Sequence, residues 1–396
     1  MPVFCKKMSN NVKVSIERLG KDLKAMVAKA MQDADCELPL RPSASLRENV
    51  ISPGDSVLIK PNLNGCSIKG STSVPVIKAI AQFSFDRGAS EVIIGEGPVK
   101  MGREHLEKYF ADIGIVEAAN EVGASFVNFD DYEHVIYRNA SEHLPKELGI
   151  SKFVYEVDKV INVPMLKVHP STVVTLCMKN LKGCERAQDK IKFHRLDLQK
   201  AIVELNKLVK PSINFVDGTK AMQGTDHNNG DIVDLGLVFC SKDIVAVDSI
   251  ASYAIGINPN DIRLIELGNK AGLGESDIAK IQTVGEDLEE NRVRFELPSE
   301  AMARRFPNLR ILKKGACSAC LANLMDALGW IGERRKCNTI VVGLDTPDVD
   351  DTVLIGNCTK QYWNEYEHVK GCPPTAIEIA KVISKGSLSG TVFVDS

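Results

Sequence analysis

From Ser56 onward, apolar runs too short for helices alternate with longer segments whose apolar residues recur at helical spacing. Val57-Leu58-Ile59 ends in Lys60-Pro61-Asn62, and Val74 to Arg87 then sets Val76, Ile77, Ile80, Ala81 and Phe83 on one side of a helix that Gly88 stops. Glu91 to Gly95 reads as the next strand, Arg103 to Ile113 and Ile115 to Val122 as helices, and Ala124 to Phe129 as a strand again. Such alternation predicts an α/β fold: an open parallel or mixed sheet with helices on both faces. Before it, Val12 to Leu19 reads as a strand and Leu23 to Asp33 as a helix; beyond it, strands are expected at Lys159 to Val163, Ser212 to Val216 and Leu235 to Cys240, with helices at Leu196 to Val209 and Ile244 to Ala254.

The pattern breaks between Glu286 and Arg310, where charges crowd together and Pro298 and Pro307 interrupt. The expected division is therefore an α/β domain over 1–290, a linker over 291–310 and a smaller α/β domain over 311–396. That last part reads as a short helix after Cys317, strands at Thr339 to Gly343 and Thr352 to Ile355, and a helix from Thr375 to Ser384. A chain of 396 residues accommodates two such units. Its 49 basic and 52 acidic side chains leave a net charge of −3, which argues against general attraction to nucleic acid or anionic membrane. Met1 to Asn11 has no apolar core of the signal-peptide kind, and no segment approaches the roughly 18 uninterrupted apolar residues of a membrane span, so a cytoplasmic location is expected.

Eleven cysteines, an odd count, favour free thiols with a metal or redox site over a disulfide framework in a reducing compartment. Cys317 and Cys320 are spaced so that one turn aims both sulfurs at one centre; Cys358 follows an expected strand, and Cys372 precedes Pro373 and the last expected helix. Each stands near an expected helix start, where unpaired N–H groups and the positive dipole end stabilise a thiolate. The favoured occupant of Cys317, Cys320, Cys358 and Cys372 is a 4Fe-4S cluster; a tetrahedral zinc site and plain buried thiols are the alternatives. Cys66 and Cys184 each follow a glycine near the expected site and are secondary candidates for redox thiols.

Ligands of open α/β sheets bind beyond the carboxyl ends of strands. Lys60 and Asn62, Glu96, Lys167 and His169, Asp217, and Ser241 with Asp243 stand at such ends. Lys179, Lys182, Arg186, Lys190, Lys192, His194 and Arg195 make a local excess of positive charge, which suits a phosphate or carboxylate. Lys60, Asn62, Lys167, Lys179, Lys182, His194 and Asp217 are thus the candidate substrate-binding residues. His169 and Glu96 are the candidates for proton transfer. Asp243 also reads as a helix N-cap, and Asp248 as an ordinary helix residue. Gly95-Glu96-Gly97-Pro98-Val99-Lys100 has Lys100 where a dinucleotide fingerprint needs glycine, and there is no Walker A, HExxH or GxSxG sequence.

The order KPN, GEGP, VPMLKVH, VTLCMKNLKG, His194-Arg195, NFVDGTKAMQG, DIVAVDSIAS and Ala271-Gly272-Leu273-Gly274 resembles the domain-of-unknown-function family 362 over about residues 50 to 275. That likeness implies cysteine-rich iron-sulfur segments in many members. The series CSAC, GNC and GCPP is similar to the flavodoxin-like cluster domain of nickel-iron hydrogenase small subunits and the related complex I subunit, which implies Cys317, Cys320, Cys358 and Cys372 as cluster ligands. The expected function is an iron-sulfur redox protein, an oxidoreductase passing electrons between the cluster and an anionic small molecule or cofactor such as a flavin. The competing readings are a non-catalytic electron carrier that docks a ferredoxin-like partner, and a non-redox enzyme with a structural cluster.

Overall fold

The computed structural model describes residues 12–36, 50–99, 101–194, 196–225 and 230–385. The first part of the chain runs β1 (Val12–Arg18), α1 (Leu23–Asp33), β2 (Ser56–Pro61), α2 (Val74–Asp86), β3 (Glu91–Glu96), α3 (Arg103–Ile113), α4 (Ile115–Glu121) and β4 (Ser125–Asn128). There follow β5 (His134–Arg138), β6 (Glu147–Ser151), α5 (Phe153–Glu156), β7 (Lys159–Val163), β8 (Met165–His169), β9 (Val173–Thr175), α6 (Cys177–Asn180), α7 (Ala187–His194) and α8 (Leu198–Leu208). β10 (Ile213–Gln223), β11 (Asp231–Val233), β12 (Leu237–Ser241), α9 (Ile244–Ala254), α10 (Arg263–Lys270) and β13 (Ile281–Gly285) complete the larger unit.

Its main sheet has the order β13-β1-β12-β10-β7-β2-β3-β4. From β10 to β4 the neighbours are parallel, whereas β12 runs against both β10 and β1. The sheet is therefore mixed, with period-two alternation dividing its residues between two cores. Val57, Ile59, Val92 and Ile94 pack with α1, α2 and α3 on one face; Leu58 and Ile93 join the core of α8, α9 and α10 on the other. The doubly covered α/β sheet expected from the alternation is what forms.

Two segments add local detail to this frame. The apolar stretch from Val173 to Met178 splits into β9, antiparallel to β8, and α6, with Val173 at φ +66°. Residues 298–305, expected to be irregular, form α11 (Pro298–Arg305). Pro298 occupies the helix start, and Leu297 N–H donates to Glu300, so local capping chemistry substitutes for an apolar stripe. Met302 and Phe306 are buried in the core of the C-terminal unit.

That unit contains β14 (Arg310–Leu312), α12 (Ser318–Ile331), β15 (Thr339–Val342), β16 (Thr352–Ile355), β17 (Glu367–Val369) and α13 (Ala376–Ile383). Its four strands form one parallel sheet in chain order. The helix after Cys317 is longer than the short one expected, because Leu324, Ala327, Leu328 and Ile331 supply a buried stripe over several turns. Among the described residues, no helix is long and apolar enough to cross a membrane.

Asp217 on β10 ties the sheet to the start of α2. Its carboxylate accepts from Ser73 N (2.8 Å), Thr219 N (3.0 Å) and Thr219 Oγ1 (2.6 Å), while the side chain is 1% exposed. Asp217→Ala leaves those donors without their acceptor and is expected to cost about 2 to 4 kcal/mol, read as a lower urea midpoint with an unchanged m-value.

Candidate functional site

The carboxyl end of β2 starts with a wholly buried ion pair. Lys60 Nζ lies 2.9 Å from Glu96 Oε2 on the neighbouring strand, and both side chains are almost completely excluded from solvent. Lys60 also donates to Pro61 O (2.7 Å) and Asn180 Oδ1 (3.4 Å). Glu96 accepts from Leu63 N and Gly97 N, both at 2.9 Å. All three ammonium protons and both carboxylate oxygens are engaged within the protein. The anion-holding role expected of Lys60 and the proton-transfer role expected of Glu96 are corrected accordingly: the two form a structural brace.

Asn180 fastens the next segment to that brace. Its Nδ2 donates to Lys60 O (3.1 Å) and Asn162 Oδ1 (2.9 Å), while Asn162 Nδ2 reaches Cys177 O (3.0 Å) and Asn214 Oδ1 (3.1 Å). Gly183 lies against the ion pair so closely that a Cβ there would run into Glu96 Oε1 and Lys60 Nζ. At the segment's other end, Asp248 of α9 accepts from Cys177 N (2.8 Å) and Met178 N (3.0 Å). Asp248 is thus a buried cap for α6 instead of an ordinary helix residue. Burial pushes its carboxyl up to about 7, against the opposing effect of the two backbone donors.

This held segment presents the lysines. Lys179 Nζ donates to Thr175 Oγ1 (3.3 Å), and no carboxylate pairs with it among the described residues. Burial, reinforced by the positive charges of Lys167 and Lys182, holds Lys179 well below the usual ammonium range. Lys167 is buried and donates to Gly70 O (2.6 Å). Lys182 lies 3.3 Å from Glu185 Oε2 and 4.2 Å from the Phe193 ring centroid. Two further cations beside one desolvated ammonium favour an anion there.

The remaining expected residues distribute unevenly. Asn62 Nδ2 donates to Asn180 Oδ1 (3.2 Å), while its own buried Oδ1 has no donor among the described residues. His169 accepts from Ser171 N at Nδ1 (3.0 Å) and lines a cavity of about 310 Å³ between the two units, with Leu297, Phe306, Leu321 and Met325. Asp217 is committed to Ser73 N and to the backbone and hydroxyl of Thr219. Ser241 and Asp243 belong at the opposite end of the sheet because β12 is reversed; Asp243 caps α9 through Val245 N and Ala246 N. His194 ends α7, but its side chain lies outside the described residues. Asn162, Asn180, Glu185 and Asp248 were not expected in the site. Asn180 and Glu185 flank the basic residues in sequence, but only the crossing of β2, β3 and α9 shows their part.

The thiols form a second constellation at the carboxyl end of the smaller sheet. Cys317 caps α12 and hydrogen-bonds through its side chain to Cys320, an interaction that pulls the Cys317 thiol down to about 6. A Cβ on Gly356 would touch Cys320 Sγ at 3.4 Å, which puts that sulfur beside the loop carrying Cys358. This loop is locked to the Cys372 turn by Asn357 N to Gly371 O (2.8 Å) and Gly371 N to Asn357 Oδ1 (2.9 Å). The Cys317 hydrogen bond, then burial and the charges of Cys317, Cys358 and Cys372, raise the Cys320 thiol. The four thiols therefore share one neighbourhood, although among the described residues no three His, Cys, Asp or Glu side chains are gathered to clasp a metal ion. Cys66 and Cys184 are raised instead, to about 11 and about 12, chiefly by burial, which disfavours the reactive thiolate.

Glu185 supplies a pH test. Burial raises its carboxyl from 4.5 to about 7 against the opposing pull of Lys182 and Lys190. Between those values the folded state retains a proton that the unfolded state releases, so this contribution to stability falls as pH rises through the window. Glu185→Gln is expected to reduce the loss of stability between about pH 5 and about pH 7, measured by paired urea titrations of the two proteins.

The family model described as "Domain of unknown function (DUF362)" matches residues 57–253, the stretch that contains the brace and the lysines. The Thylakoid-associated protein sll1697 of Synechocystis sp. (strain ATCC 27184 / PCC 6803 / Kazusa) is 27% identical over 234 residues, covering 57% of this chain and 70% of that protein. The structure of the lactate racemase apoprotein from Thermoanaerobacterium thermosaccharolyticum is a distant likeness at 13% identity and a TM-score of 0.37, spanning 62% of this chain and 57% of that one. The match to that family model takes in just under half of this chain.

Proposed function

We propose that the protein is an iron-sulfur oxidoreductase that exchanges electrons with an anionic small molecule held at the lysine site. The single observation that carries this reading is the packing of the helix that starts within the close thiol pair against the larger unit. α12, capped by Cys317, packs against α7 and carries Asp326, whose charge acts on Cys66 beside the lysine-bearing segment. Nine residues of helix between Cys317 and Asp326 correspond to roughly 13 Å along the axis. Cys317, Cys320, Cys358 and Cys372 would hold a 4Fe-4S cluster; the resemblance to hydrogenase small-subunit cluster domains and the lowered Cys317 thiol favour that ligand set. When bound, such a cluster supplies one-electron transfer.

Lys167, Lys179 and Lys182 bind the anion, which takes the place of the missing carboxylate beside Lys179. Asn62 offers its vacant Oδ1 to a hydroxyl or protonated oxygen of the same ligand. His169 manages protons at the mouth of the cavity between the units. A phosphorylated metabolite or a flavin phosphate satisfies this donor pattern, and a ferredoxin-like carrier is the electron partner of suitable chemistry. Free thiols of this kind belong in a reducing, cytoplasmic compartment.

Full-length protein purified without oxygen and with ample iron is expected to carry about four irons and four acid-labile sulfides per chain, with a broad absorbance that dithionite bleaches. Cys358→Ser and Cys372→Ser should each lose most of that iron. A colourless, iron-free protein under these conditions refutes the cluster.

Inorganic phosphate or phosphorylated metabolites should raise the melting temperature of the wild type, and Lys179→Ala should abolish the rise. Because Lys179 is depressed from 10.5, anion affinity should decline with rising pH well below that value, as the ammonium loses its proton. An unchanged shift in Lys179→Ala contradicts the anion site.

A further inference from the structure

A cavity of about 640 Å³ opens beyond the carboxyl end of β4, outside the lysine and thiol sites. Its volume falls within the range of small-molecule sites. Phe110, Phe126 and Tyr132 give it an aromatic side; Asp130, His134 and Arg186 give it a polar one. The Phe110 and Phe126 rings meet edge to face with centroids 4.7 Å apart, so that wall is firmly packed.

The polar side contains an unanswered group. The His134 side chain is only 7% exposed, yet its Nε2 is buried without a hydrogen-bond partner among the described residues. The nearest carboxylate oxygen, Asp130 Oδ1, stands 4.0 Å away and accepts from Ala187 N at 2.9 Å. The ring hydrogen-bonds to the Tyr132 backbone, and burial lowers its proton affinity. With Nε2 unpartnered, that backbone bond falls to Nδ1–H, and the neutral ring leaves the Nε2 lone pair unused in a residue that lines the cavity. A buried acceptor without a donor is costly, and a ligand that supplies the donor recovers that cost.

Charge narrows the ligand further. Arg186 is paired with Asp189 (2.9 Å) and Glu147 (3.2 Å), and Arg103 with Glu107 (2.9 Å). Asp131 adds a carboxylate to the lining with no such partner among the described residues, whose charges therefore do not invite an anion. We propose that this cavity binds an uncharged ring compound bearing hydroxyl donors, of the nucleoside class, with its ring against Phe110, Phe126 and Tyr132 and a hydroxyl donating to His134 Nε2. The assignment stands independently of the iron reading, since none of these residues belongs to either site above.

The test is calorimetric titration of the full-length protein with adenosine and uridine, and with adenosine monophosphate for comparison. Wild type should bind at least one nucleoside with Kd below about 1 mM, and the monophosphate more weakly. His134→Phe, which keeps a ring but removes the acceptor, should weaken binding about tenfold or more. Val116→Trp fills the cavity from a residue already 42% exposed and should abolish binding, which decides the matter if His134→Phe does not fold. No binding of either nucleoside, equal affinity in the folded variants, or a monophosphate that binds as tightly as its nucleoside overturns the proposal.

Discussion

The buried pairing of Lys60 with Glu96 is the interaction on which the arrangement of the larger unit depends. Two charges taken out of water are tolerated only where good geometry and further hydrogen bonds compensate their desolvation. Both conditions are met: the ammonium finds three acceptors, and the carboxylate is shared with two backbone N–H groups. Losing either partner would strand the other charge, at a cost of about 3 to 5 kcal/mol. The pair also sets the level at which Asn180 meets the strands, and through Asn180 it decides where Lys179 and Lys182 face.

The site combines groups whose charges are satisfied with groups whose charges are not. Lys60, Glu96 and Asp217 have full complements of partners and give rigidity. Lys179 has a hydroxyl where a carboxylate would be natural, and Asn62 retains an idle oxygen. A rigid frame around incompletely satisfied groups is the arrangement that binding sites require, since the frame keeps those groups from collapsing onto one another.

The larger sheet was legible because its strands are continuous apolar runs and its helices carry clear stripes; Val57 to Ile59 and Val74 to Asp86 need no tertiary information. Strand direction was not legible. Ser241 and Asp243 follow an apolar strand just as Lys60 does, and only the antiparallel pairing of β12 with β10 removes them to the far end. The lysines could be found from local charge density, but the brace could not, because Lys60 and Glu96 are 36 residues apart and their commitment to each other depends on neighbouring strands. His134 carries no motif at all; its significance arises from the absence of a partner for one nitrogen, a property of the packed interior alone.

Gly183 has a consequence for the range of sequences that can adopt this architecture. The chain there runs against the paired side chains with no space for even a methyl group. A β carbon at this point would have to dislodge the ammonium or the carboxylate beneath it. The smallest residue in the segment therefore works as a gauge, admitting only backbones that seat at the depth the lysines on either side require.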